Sequence, residues 1–101
     1  MLTIFKYPVP VMDTFTIRMP EDAKIISVHT QKDNPCIWAL VEDENDLVDH
    51  VFSLGGTGHD MSDLAEYENT DFVGSFFVHG ENLVFHLFYC GEAKEEVENN
   101  D

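Results

Sequence analysis

The side chains able to do chemistry in this 101-residue chain fall into three groups: a glycine-rich loop, scattered histidines and cysteines, and a crowd of acids in the second half. Gly55-Gly-Thr-Gly-His59 is the sharpest local pattern. Glycines let successive backbone amides converge into a nest that can hold a phosphate, and Thr57 and His59 would add polar contacts. The pattern is not a Walker loop, because His59 stands where Lys followed by Ser or Thr is needed. No strong helix follows, and nearby carboxylates repel an anion. The plainer reading is a turn whose glycines take positive φ. The sharper one is that Gly56, Thr57, Gly58 and His59 contact a nucleotide-like ligand.

The five histidines (His29, His50, His59, His79, His86) show no recognised ligand spacing, and no pair of cysteines lies at CxxC spacing. No metal and no cofactor are expected; His59 with Asp60 is the place a metal would take. Cys36 and Cys90 sit in apolar runs and read as buried thiols rather than a disulfide. Cys90 and His86 share a strand face, but four residues of strand separate their Cα atoms by about 13 Å. That is too far for a nucleophile and its base. Ser53, Ser62 and Ser75 lack an elbow motif. The acids lie in exposed runs where a raised pKa is not expected. The chain is expected not to be an enzyme.

Charge is the remaining lead. The net charge is −15, and residues 1–41 contribute nothing to it, holding four acids and four bases. Residues 42–101 hold sixteen acids and one base, Lys94. Such a surface cannot replace the counterions of a nucleic acid or settle on an anionic membrane. It suits a basic partner, or plain solvation. Glu42, Asp43, Glu44, Asp46 and Asp49 form one cluster; Asp60, Asp63, Glu66, Glu68 and Asp71 form a second. If both loops lie at one end of the fold, they make an anionic face able to imitate nucleic-acid phosphates. General solubilisation would spread the acids rather than segregate them.

The elements that must carry these groups are strands. Thr14 to Met19 alternates strictly, with Phe15, Ile17 and Met19 inward, and Pro20 closes the strand. Lys24–Thr30 follows with Ile26 and Val28 inward, and Lys32-Asp-Asn34 turns into Cys36–Val41, apolar on both faces and placed centrally. Residues 42–49 read as an exposed turn and His50–Leu54 as a short strand. Residues 71–79 and 82–90 form a hairpin about Gly80-Glu81, also apolar on both faces and expected deep in the core. That turn sets His86 beside Ser75. Residues 2–7 add an edge strand. The expectation is a mostly β, single antiparallel sandwich or small barrel of about seven short strands. Residues 1–90 form the domain and 91–101 a disordered acidic tail. Gly55–Thr70 is long for a loop and holds at most a short helical turn near Ser62–Tyr67, capped by Asp60 or Ser62. No apolar run reaches membrane-spanning length and no signal peptide is visible, so a cytoplasmic protein is expected.

Several stretches together resemble a small phage- and prophage-encoded family of unknown function: Lys6-Tyr-Pro8, Phe15-Thr-Ile-Arg-Met-Pro20, Ile25-Ile-Ser-Val28, Pro35-Cys-Ile-Trp-Ala-Leu-Val41, Gly56-Thr-Gly-His59, Val73-Gly-Ser-Phe76 and Leu83-Val-Phe-His86. The resemblance spans roughly residues 3–90 and implies a phage product acting in a bacterial cytoplasm; Phe5, where Trp is usual, departs from it. The leading expectation is a non-enzymatic inhibitor, a monomer or small homo-oligomer. It would occupy the basic surface of a host defence or nucleic-acid-handling protein through Glu42, Asp43, Glu44, Asp46, Asp49, Asp60, Asp63, Glu66 and Glu68. The alternatives are a nucleotide-signal sponge using residues 56–59, and a virion or replication accessory protein.

Overall fold

The computed structural model describes residues 1–80 and 82–93. Seven strands follow in order: β1 (Leu2–Pro8), β2 (Thr14–Pro20), β3 (Lys24–Gln31), β4 (Asn34–Glu42), β5 (Leu47–Gly56), β6 (Asp71–Val78) and β7 (Leu83–Glu92). They form two antiparallel sheets, one in the order β1-β4-β3 and one in the order β2-β5-β7-β6. The mostly β architecture is therefore as read from the alternation of side chains.

Local chemistry explains the joints. Lys32 and Asp33 both take positive φ (50° and 68°), the geometry that matches a two-residue turn to the twist of its strands. β2 buries Phe15 and Met19 and leaves Thr14, Thr16 and Arg18 outside. Phe15 stacks on Phe52 with ring centroids 5.3 Å apart, and Phe52 meets Tyr89 at 5.3 Å. Ile37, Ala39 and Val41 of β4 complete the core from the other sheet. The sheets touch most closely where β3 lies along β6. There a Cβ on Gly74 would sit 2.9 Å from Val28 Cγ1, so the missing side chain is what lets the two strands meet.

The structure corrects several expectations. Ile26 points outward, 50% exposed, because a bulge between Ile25 and Ser27 shifts the pleat by one residue. β6 is an edge strand rather than a core one, and Phe72 and Phe77 lie on its exposed face. Trp38 and Leu40, on the second face of β4, are half-covered rather than buried. β5 starts at Leu47, so Asp49 belongs to a strand and not to the preceding turn. β7 continues through Gly91 and Glu92, where the tail was expected to begin. The rest of that tail, from residue 94, and Glu81 of the expected turn lie outside the described residues. The register Val78↔Leu83 and Ser75↔His86 is the one read from the sequence.

β5 and β6 point the same way on either side of β7, so residues 57–70 must travel back along the sheet. This is why the loop is long. Asp60 Oδ1 accepts from Ser62 N (2.9 Å) and Ser62 Oγ (2.5 Å), and a 3₁₀ turn, Ser62–Glu66, follows. Residues 65–69 then border Val51 and Cys90–Ala93 on the outer face of the four-stranded sheet. Among the described residues, no helix is long and apolar enough to cross a membrane.

Candidate functional site

The glycine loop is closed on itself. His59 N donates to Gly56 O (3.0 Å), and Gly56 N donates to His59 Nδ1 (3.0 Å). Gly58 takes φ 88° at the third position of this turn. Two amides that a phosphate nest would need are thus spent inside the loop. Thr57 leans the other way: its Oγ1 bonds His86 Nε2 (2.8 Å), and His86 Nδ1 bonds Ser75 Oγ (2.7 Å). A neutral imidazole donates at one nitrogen and accepts at the other, and hydroxyls serve either role. The chain Thr57–His86–Ser75 fastens the start of the crossing loop to β7 and β6. It follows from the register that set His86 beside Ser75, but its third member was not anticipated.

His59 and Asp60 are each occupied by partners within the loop, and the Ser62 hydroxyl and amide hold the Asp60 carboxyl below the usual carboxylate range. Among the described residues, the group with metal-like proximity is Glu42, Asp43 and Glu44. The α-amino group of Met1 lies against it, bonding Glu42 and, at 2.7 Å, Asp43 Oδ1. The carboxylate hydrogen bonds, Asp43 first and Glu42 second, raise that ammonium's pKa to about 10.

The two acid clusters do not simply coincide. They sit on loops that leave opposite ends of β5, and a ten-residue strand spans roughly 30 Å. The crossing loop partly closes that gap by returning. One hollow is lined by Val51, Glu66, Glu68, Cys90, Glu92 and Ala93 among others. Its neighbour is lined by Arg18, Glu21, Asp46, Asp49, Glu92 and Ala93 with Leu47 and Val48. Glu92 and Ala93 border both. Glu42, Asp43, Glu44, Asp46, Asp49, Glu66 and Glu68 therefore gather toward the end where β4 gives way to β5 and β7 finishes. Asp60 and Asp63 do not: they line a separate hollow with Asp13, Thr14, Ser53 and His59. Glu21, Asp22 and Glu92, absent from the expected set, join the acidic end. Their sequence neighbours gave no cluster; only strand pairing brings them in.

This end is rigidly built. Glu21 N donates to Asp46 O (2.8 Å), Asn45 Nδ2 to Glu21 O (2.9 Å), Asp22 N to Glu92 Oε2 (2.7 Å) and Ala93 N to Asp49 O (2.8 Å). Beneath it lies a buried polar network that sequence reasoning missed. His50 is wholly buried, and its Nε2 faces Pro20 O (3.0 Å) and Met19 O (3.2 Å). Carbonyls only accept, so Nε2 carries the proton and Nδ1 accepts from the Tyr89 hydroxyl (2.8 Å). Burial, reinforced by the nearby carboxylates of Glu92, Asp71 and Asp22, pushes the Tyr89 pKa up to about 12. Tyr67 in the covering loop is likewise raised, first by burial and then by Cys90, Glu66 and Asp63. Placing His50 in phase with Phe52 and Leu54 would have flagged it as inward-facing.

Among the described residues, two cations meet the carboxylates of the acidic end: the Met1 ammonium against Glu42, Asp43 and Glu44, and Arg18. Arg18–Asp49 (3.4 Å) is the one ion pair made by a lysine or arginine among the described residues, between an exposed Arg18 and a half-buried Asp49. Arg18 also donates to Leu47 O (3.0 Å).

The chain belongs to a protein family described as a domain of unknown function (DUF7352), which it matches over residues 1–98. Neither the curated proteins nor the solved structures give a match.

Proposed function

We propose that this protein is a non-enzymatic binding module whose acidic end docks on the basic surface of a partner protein, at the place nucleic-acid phosphates would take. The observation that carries this reading is the convergence of carboxylates from four separate segments on one rigid end. These are the β2–β3 turn, the β4–β5 turn, residues 66–68 and the end of β7; among the described residues the Met1 ammonium and a single Lys/Arg ion pair offset them. Backbone hydrogen bonds fix the turns, so the charges are held in place before a partner arrives, which lowers the cost of ordering them. A concentrated single-sign field also speeds encounter with an oppositely charged surface. The resemblance to phage-encoded chains makes a bacterial host protein that handles nucleic acid, or defends against phage, the natural target.

The test is capture from bacterial lysate at low and high salt, with double-stranded DNA as competitor. The comparison is a variant carrying Asp46→Asn, Asp49→Asn, Glu66→Gln and Glu68→Gln. The expected result is a partner released by salt, displaced by DNA and lost in the variant. A complex indifferent to salt that survives the four substitutions sinks the reading. The glycine loop is the weaker alternative, since its own contacts consume the Gly56 and His59 amides.

A further inference from the structure

We infer that two copies of this chain pair antiparallel through β1, joining their three-stranded sheets into one of six strands. The inference begins with the four sheet edges. β3 and β6 lie along each other, so neither is open. β2 shows Thr14, Thr16 and Arg18 outward and ends in Pro20. β1 instead exposes Leu2, Ile4 and Phe5 at 63, 54 and 41%. Among the described residues no strand pairs with its other side.

Edges left this open are normally guarded by a charge, a proline or a bulge. β1 pairs with β4 over seven consecutive residues without a bulge, and its proline stands at the last of them. Its one charged side chain, Lys6, reaches over β4 to donate to Gln31 Oε1 (2.9 Å) on β3, away from the free edge. The guards are therefore missing or turned aside along some 23 Å of strand. Phe5, with Thr3 and Tyr7 on the pleat face opposite Leu2 and Ile4, is itself 41% exposed, so both faces of the strand are open near its middle.

The occupant is a second copy because the two ends of the edge carry opposite charge. At the Leu2 end of β1 stand Glu42, Asp43 and Glu44, three carboxylates that share the single Met1 ammonium and so stay net negative. At the Pro8 end lies a hollow lined by Lys6, Lys32, Gln31, Asn34 and Cys36. Antiparallel pairing brings the acidic corner of each copy to the end of the other that carries Lys6 and Lys32, where Lys6 can exchange Gln31 for a carboxylate of the second copy. Residues opposite one another across a two-fold share a pleat face, so the axis passes through a residue, and centring the paired stretch on the exposed part of β1 puts it at Ile4 or at Phe5. Either register sets apolar side chains against each other at the centre. Elsewhere, two chains of net charge −15 would bring acids against acids.

Sedimentation equilibrium of the full chain over a range of concentrations tests this, with Ile4→Glu and Ile26→Glu compared. Both positions are exposed, and both changes add one negative charge to the same sheet, but Ile26 lies on β3, far from the edge. The expected result is a wild-type mass about twice that of the monomer, halved by Ile4→Glu and unaltered by Ile26→Glu. A wild type that stays monomeric overturns the inference. So does a dimer that ignores Ile4→Glu or dissolves equally with Ile26→Glu. Amide exchange on the wild type gives a readout free of any folding defect: protection in β1 must rise with concentration at alternate residues. The four substitutions at Asp46, Asp49, Glu66 and Glu68 leave β1 untouched, so loss of partner capture and loss of self-association are separable.

Discussion

Removing one oxygen atom, with Tyr89→Phe, should destabilise this protein more than most surface substitutions could. The Tyr89 hydroxyl is the donor to His50 Nδ1, at 2.8 Å, and the His50 ring has no exposure to solvent. Phe keeps the ring against Phe52 but leaves a buried acceptor without a partner, which costs about 1–3 kcal/mol. For a domain of this size each kcal/mol is worth about 4–8 °C in Tm, so a fall of roughly 5–20 °C is expected. Urea and thermal melts of wild type, Tyr89→Phe, His50→Leu and the double variant measure it. His50→Leu strips the donor from Met19 O and Pro20 O as well, and should cost more than Tyr89→Phe. The double variant should cost less than the sum by about 1 kcal/mol or more, because the Tyr89–His50 bond can be lost only once. If Tyr89→Phe lies within about 0.5 kcal/mol of wild type, the hydrogen bond is not holding β7 to β5 and the assignment of the His50 tautomer fails with it.

Three further outcomes follow from the same geometry. Tyr89 gives up its proton near pH 10 when unfolded but only at about 12 when folded, so the folded state holds the extra proton between them. Stability is therefore fully present below pH 10 and falls as pH rises to 12; Tm measured across that window should flatten in Tyr89→Phe. Gly74→Ala should destabilise by about 1–3 kcal/mol, because the new methyl meets the stiff side chain of Val28 at 2.9 Å. Gly55→Ala should cost less although its methyl would come still closer to Met61 Sδ, since a thioether chain can swing aside; paired urea melts decide the order. Both thiols should react slowly with Ellman's reagent in the native protein and promptly in urea, because Cys36 and Cys90 are buried and burial raises the Cys90 thiol pKa.

How far the sequence alone reaches depends on whether a property is local. Strict alternation in β2 and the Lys32-Asp33 turn are local, and both were legible. So was the register of the last hairpin, from which His86 beside Ser75 follows. Ile26 was misread because a bulge changes the pleat without leaving a residue-type signal in so apolar a stretch. β6 was misread because a strand apolar on both faces looks central, whereas its second face is covered only partly, by neighbours such as Phe88. Neighbour order is a property of the whole chain. For that reason the acidic end was only half visible: the chain order lists the 42–49 run, but not that Glu21, Asp22 and Glu92 come to lie beside it. The charge asymmetry did carry over. β1, β3, β4 and the turn between the last two hold Lys6, Lys24 and Lys32 against Asp33 and Glu42. Most other acids of the described residues lie on the connections between the two sheets or on the β5–β6 crossing loop.

The acids themselves divide by what they bond. Asp60 accepts from Ser62 N and Oγ just ahead of the 3₁₀ turn, whose N-cap is Met61 rather than the expected Asp60 or Ser62; Glu92 accepts from Asp22 N, Asp33 accepts from His79 N (2.8 Å) and Asp49 pairs with Arg18. These have structural work, and neutralising them should lower Tm. The Asp46, Glu66 and Glu68 side chains make no hydrogen bond or ion pair among the described residues, yet they stand within one field of like charge. Self-repulsion of that kind opposes folding and is screened by salt. Asp46→Asn with Glu66→Gln and Glu68→Gln should therefore raise Tm at low ionic strength, with the gain fading as salt is added. A gain of that kind would show that the fold does not depend on these three carboxylates, as a docking surface requires. If the triple variant instead melts lower than wild type at every salt concentration, these three acids are structural after all, and the acidic end loses its claim to be a docking surface.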